Sequence, residues 1–74
     1  MKKNKLDEIE EAVGDALALA EDRRERKKIF LEIKDISRSC ADTARDVEEY
    51  QACVLDETEN VVERLLQRRQ RQRR

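Results

Sequence analysis

The chain has 74 residues, 17 of them basic and 18 acidic, a formal net charge of −1, and only Phe30 and Tyr50 as aromatics. One glycine and no proline leave almost no turn chemistry for a sheet protein. No apolar run approaches the roughly 20 residues of a membrane-spanning helix, and so short a chain buries only a modest core.

Ala, Glu, Lys, Leu and Arg make up 42 of the residues, the composition of long helices and coiled coils. Asn4 has the place of a helix N-cap, and Asp7, Glu8 and Glu10 follow it where acids complement the positive end of the helix dipole. Leu6, Ile9, Val13, Ala16 or Leu17, and Ala20 recur every three or four residues, which is one face of a helix. Residues 21–28 hold no apolar residue. They form either a solvated stretch of helix or a loose joint. The stripe resumes with a slipped phase at Ile29, Ile33, Ile36, Cys40, Ala44, Val47, Tyr50, Val54, Val61 or Val62, and Leu65. The poorest helix formers cluster at residues 37–43, where Ser39 with Asp42 and Thr43 with Asp46 make imperfect capping boxes. The pattern predicts a single helical domain over 1–74. A first helix covers 4–36, a corner 37–42, a second helix 43–68, and an arginine-rich tail 69–74.

Charge is segregated along this pattern. Residues 6–22 carry −7, 23–34 carry +4, 35–63 carry −7 and 64–74 carry +6. A parallel, in-register pair of such helices sets like blocks side by side and is penalised. Folding back near 37–42 brings the 6–22 block toward the arginine-rich end, and 23–34 toward Asp46, Glu48 and Glu49. The fold class expected is therefore all-α: an antiparallel helical hairpin or coiled coil, dimerising into a four-helix bundle. The alternative is one long helix in an antiparallel coiled-coil dimer. Leu6, Ile9, Val13, Ile33, Ile36, Cys40, Val47, Tyr50, Val54 and Leu65 are the expected oligomer core.

Catalysis has little to rest on. The chain has no histidine, the commonest general base and metal ligand. Adjacent carboxylates such as Glu48 and Glu49 point about 100° apart on a helix. Cys40 and Cys53, on one continuous helix, would stand about 220° and roughly 20 Å apart and could not share a metal. They are read as small hydrophobes in an intracellular, reducing, cytoplasmic setting, since Met1–Lys5 leads into acids and not into an apolar leader. No enzyme activity, catalytic residue, metal or cofactor is expected.

The segment with most functional content is Arg64–Arg74, with bases at Arg64, Arg68, Arg69, Arg71, Arg73 and Arg74 and no acid. In composition it resembles the short arginine-rich motifs by which some viral regulatory proteins bind RNA, which implies nucleic-acid contact through those arginines. Arginine offers bidentate hydrogen bonds to phosphate and to guanine edges. The absence of aromatics for base stacking argues against single-strand platforms. The function expected is a non-enzymatic helical protein–protein interaction module: a small adaptor, scaffold, inhibitor or assembly component. Leu19, Leu31 and Leu55 are its candidate contacts. The alternative is a small RNA-binding regulator using the arginine-rich C-terminus. The partners expected are a second copy of the chain, another protein and, in the alternative, nucleic acid.

Overall fold

A computed structural model of the chain describes residues 4–72, with side chains through Gln70. The described residues form three helices: α1 (Lys5–Ala18), α2 (Arg23–Thr43) and α3 (Val47–Gln72). No strand occurs among them, and no helix is long and apolar enough to cross a membrane.

Each helix starts on a polar side chain that satisfies an otherwise orphaned backbone N–H. Asn4 Oδ1 accepts from the Asp7 N–H at 2.9 Å, as its place in the sequence led us to expect. Asp22 Oδ1 accepts from the Glu25 N–H at 2.8 Å and opens α2. At α3, Asp46 Oδ1 accepts from the Glu49 N–H at 2.8 Å while the Glu49 carboxylate accepts from the Arg45 N–H at 2.8 Å. Aspartate thus takes the first place of a capping box, and Glu49 reaches one residue further back, to the Arg45 N–H and not to that of the cap itself.

The connections lie elsewhere than expected. The 4–36 helix is split at residues 19–22, at the front edge of the stretch without apolar residues, where Asp22 caps a new helix. Residues 37–42, expected as a corner, are instead within α2, and the chain turns at residues 44–46. There the Ala44 N–H still donates to the Cys40 carbonyl at 2.9 Å, and Ala44 adopts extended backbone, ψ 140°. Neither connection uses a residue with positive φ. The corners are made by caps, so the absence of glycine and proline there does not keep the helix going.

α1 and α3 run parallel. Lys5 lies beside Ala52–Glu59, and Glu8 to Asp15 lie beside Glu59 to Leu66. α2 runs antiparallel to α3, since Glu32 pairs with Arg64 and Glu25 with Arg68. A small core of Ala16, Ile29, Ile33, Val61 and Leu65 sits where the three helices meet, with Val13, Leu17, Leu19, Ala20, Ile36 and Val62 packed around it.

The cysteines are joined. Cys40 and Cys53 form a disulfide across the α2–α3 corner, with Cα atoms 5.7 Å apart. The reading of two separate small hydrophobes fails because it assumed one helix through residues 40–53, whereas the turn at 44–46 brings the two positions face to face. The bond is in tension with the reducing compartment read from the sequence, because disulfides persist where surroundings are oxidising. Beside it the Tyr50 and Ser37 hydroxyls share a hydrogen bond.

Candidate interaction surfaces

The residues expected to form an oligomer core divide within a single chain. Ile33, Cys40, Val54 and Leu65 are buried by the chain's own fold, and Ile9, Val13, Ile36 and Tyr50 are half-buried. Leu6 and Val47 are exposed, at 52% and 69%. Leu6 belongs to the first turn of α1 and Val47 to the first turn of α3.

The arginine-rich end is also divided. Arg64 and Arg68 point back toward α2, where each pairs with a glutamate, Glu32 and Glu25 respectively. Arg69 is exposed. The Arg71 side chain and residues Arg73 and Arg74 lie outside the described residues. The expected match of the 6–22 acids with this end is met in part: Asp22 lines one hollow with Arg64 and Arg68, whereas Glu8, Glu11 and Asp15 lie beside Glu59 and Glu63. The 23–34 block also lies against this end, as the ion pairs to Arg64 and Arg68 show, and it does not lie beside Asp46, Glu48 and Glu49. The physical reason is the extra break at 19–22. It reverses the chain between α1 and α2, so that α1 runs parallel to α3 with Glu8 to Asp15 beside Glu59 to Leu66.

This arrangement creates two surfaces of opposite sign. The first is a groove of about 390 Å³ between α1 and α3. Its floor is apolar, with Ala12, Val62 and Leu66. Its rims carry Glu8, Glu11 and Asp15 from α1 and Glu59 and Glu63 from α3. Carboxylates at i and i+4 on one helix, such as Glu59 and Glu63, repel by a few tenths of a kcal/mol, and here a second acidic helix is laid beside them. None of the groove's lining belongs to α2, so it opens on the side of the bundle away from α2. Leu66 at its end is 45% exposed.

The second surface is the outer side of α2. Ile29, Ile33 and Cys40 bury one face of this helix. At 100° per residue, Arg23, Lys27, Phe30, Leu31, Lys34 and Arg38 fall within an arc of about 100° on the solvent side. All six are exposed. Phe30 is 52% and Leu31 49% accessible, and they stand about 100° apart at the two edges of this basic ridge, with Lys27, Lys34 and Arg38 between them. Of the leucines expected as partner contacts, Leu31 is on this ridge, while Leu19 and Leu55 are half-buried. Sequence reading took residues 21–28 as a solvated stretch of helix or a loose joint and missed that Arg23 and Lys27 share an arc with Phe30 and Leu31. The signal was available in the spacing of Lys27, Phe30, Leu31 and Lys34.

The remaining hollows carry less. The one between α2 and α3 is crossed by the two arginine–glutamate pairs. Another lies over the disulfide and is lined by Glu32, Asp35, Ile36, Ser39 and Glu57 as well as the two cysteines. Among the described residues, no three acidic or cysteine side chains are grouped so as to hold a metal ion. No protein-family model, no curated protein and no solved structure matches the chain.

Proposed function

We propose that the protein is a non-enzymatic helical interaction module whose α1–α3 groove receives a basic amphipathic helix. The observation that carries this reading is the acidic rim over an apolar floor. Glu8, Asp15, Glu59 and Glu63 are exposed and lie on both sides of Val62 and Leu66. Such a lining lowers the stability of the isolated bundle through like-charge repulsion. That cost is offset only when cations lie between the rims. A helix with an apolar stripe and flanking Lys or Arg satisfies both parts of the groove at once, which is the helix-in-groove mode of peptide recognition.

RNA binding through the arginine-rich end has weaker support. Two of its arginines, Arg64 and Arg68, already face carboxylates, and each must exchange that partner for a phosphate to contribute.

A labelled synthetic helix with leucines at i, i+3 and i+7 and lysines beside them tests the reading by fluorescence anisotropy. Binding is expected with a micromolar Kd at low salt, weakened at least tenfold by E59K/E63K in a chain that keeps its helical circular dichroism. Equal binding by wild type and E59K/E63K, or by an all-glutamate version of the peptide, would overturn it. Retention of a structured RNA that survives the loss of residues 69–74 would also count against an arginine-tail RNA binder.

A further inference from the structure

The two surfaces of opposite sign match in spacing as well as charge. On the α2 ridge, Lys27 and Lys34 stand seven residues apart, about 10 Å along the helix, with Phe30 and Leu31 midway. On the groove's α1 rim, Glu8 and Asp15 also stand seven residues apart, with Ala12 between them on the floor. A helix laid in the groove with its two lysines at the two acids turns Leu31, about 40–60° round the helix from them, over Ala12, Val62 and Leu66, and leaves Phe30 on the other side of the lysines.

We infer that the basic helix this groove accepts is α2 of a second copy of the chain, presented by its Lys27–Lys34 ridge with Leu31 beside it. The inference rests on the groove reading above and commits that groove to one occupant. Because ridge and groove lie on opposite sides of the bundle, the contact is heterologous: each copy offers its ridge to one neighbour and its groove to another. Such a contact does not close at two subunits, and it continues head to tail unless a rotation closes a ring. The side chains of the ridge and of the groove's acidic rims are exposed, so association requires no refolding of the chain. Rim charges orient the encounter and are screened by salt, while the burial of Leu31 supplies the apolar part of the contact.

Sedimentation velocity of three chains tests it: wild type, a ridge variant K27E/K34E and a groove variant E8K/D15K, each checked for helicity by circular dichroism. The wild type is expected to show an average mass that rises with concentration past twice that of the monomer, and to fall back at high salt. Each variant alone is expected to stay monomeric across the same range, because it keeps only one working surface. Mixed, the two variants are expected to co-assemble past the dimer, since the intact ridge of one meets the intact groove of the other and the exchanged ridge meets the exchanged groove. The four substitutions together in one chain are expected to restore self-association with the charges exchanged. A ridge variant that still assembles alone, or a mixture that stays monomeric, overturns the inference. Binding of the lysine–leucine peptide to the monomeric K27E/K34E chain separates the two readings. If the peptide binds while wild type remains a monomer, the groove is a receptor for a different basic helix and only the self-association fails. If the peptide does not bind, the groove reading fails and self-association by this route fails with it.

Discussion

Thr58 is fully buried in α3, and its hydroxyl has no hydrogen-bond partner among the described residues. A buried hydroxyl left unpaired loses its water without a replacement, at a cost of about 1–3 kcal/mol. Thr58→Val keeps the shape and removes that cost. It is expected to raise stability by about 1 kcal/mol, read as a higher urea midpoint with an unchanged slope. The disulfide is the other residue-scale contribution. Cys40 and Cys53 are 13 positions apart, and closing a loop near that length is worth about 3 kcal/mol by restricting the unfolded chain. A thiol reductant, or Cys40→Ala with Cys53→Ala, is expected to lower unfolding free energy by about that amount in urea titrations. Reductant is expected to have no further effect on the double variant. The cysteines also mark where sequence reasoning stopped short: whether two positions in one stripe meet depends on where the chain turns, and that was misplaced by a few residues.

At the scale of the elements, the helices and their apolar faces were legible and their ends were not. Ile29, Ile33, Cys40, Val54 and Leu65 were picked out by period, and all five are buried. The ends were sought in weak helix formers and in Ser or Thr caps, whereas α2 and α3 both begin at Asp-x-x-Glu, Asp22 to Glu25 and Asp46 to Glu49. That signal was in the sequence, but it is not sufficient. The same pattern recurs at Asp7–Glu10 and Asp56–Glu59 inside helices. What distinguishes the capping pairs is the tertiary fold, which gives the residues before them somewhere else to go. Ser39 and Thr43 illustrate the converse. The Thr43 hydroxyl bonds back to the Ser39 carbonyl at 3.2 Å, so it continues the last turn of α2 and does not start a new helix. Asp22→Ala and Asp46→Ala are each expected to cost about 1 kcal/mol. The Asp46 change is expected to cost more when the disulfide is reduced than when it is intact, as measured in the same titrations, because the covalent link otherwise holds the corner.

The charge blocks were legible at the scale of the whole molecule as a constraint on pairing, but they resolved only half of it. Opposite signs do meet between α2 and α3, at Glu32–Arg64 and Glu25–Arg68. Like signs meet between α1 and α3, an outcome that a rule of neutralisation cannot anticipate, because apolar packing of Ala16 against Val61 and Leu65 sets the position of α1. Exposed ion pairs contribute little, so the core outweighs them. Glu59→Gln with Glu63→Gln is therefore expected to stabilise dilute protein by a few tenths of a kcal/mol at low ionic strength. The gain is expected to fade as salt screens the rims, observed as converging melting temperatures.

The disulfide's position beside the α2–α3 corner also bears on the order in which the chain assembles. A cross-link so close to its turn leaves α2 and α3 tethered as a hairpin even in the denatured ensemble. In the oxidised chain, the remaining slow event is the docking of α1, whose only covalent connection to that hairpin is the short segment at 19–22. Amide hydrogen exchange should accordingly resolve two cooperative units, with α1 opening at lower free energy than the paired helices. The bonds after Arg23 and Arg24, just past the joint, are then expected to be cut by trypsin before those after Arg38 and Arg64 within the paired helices.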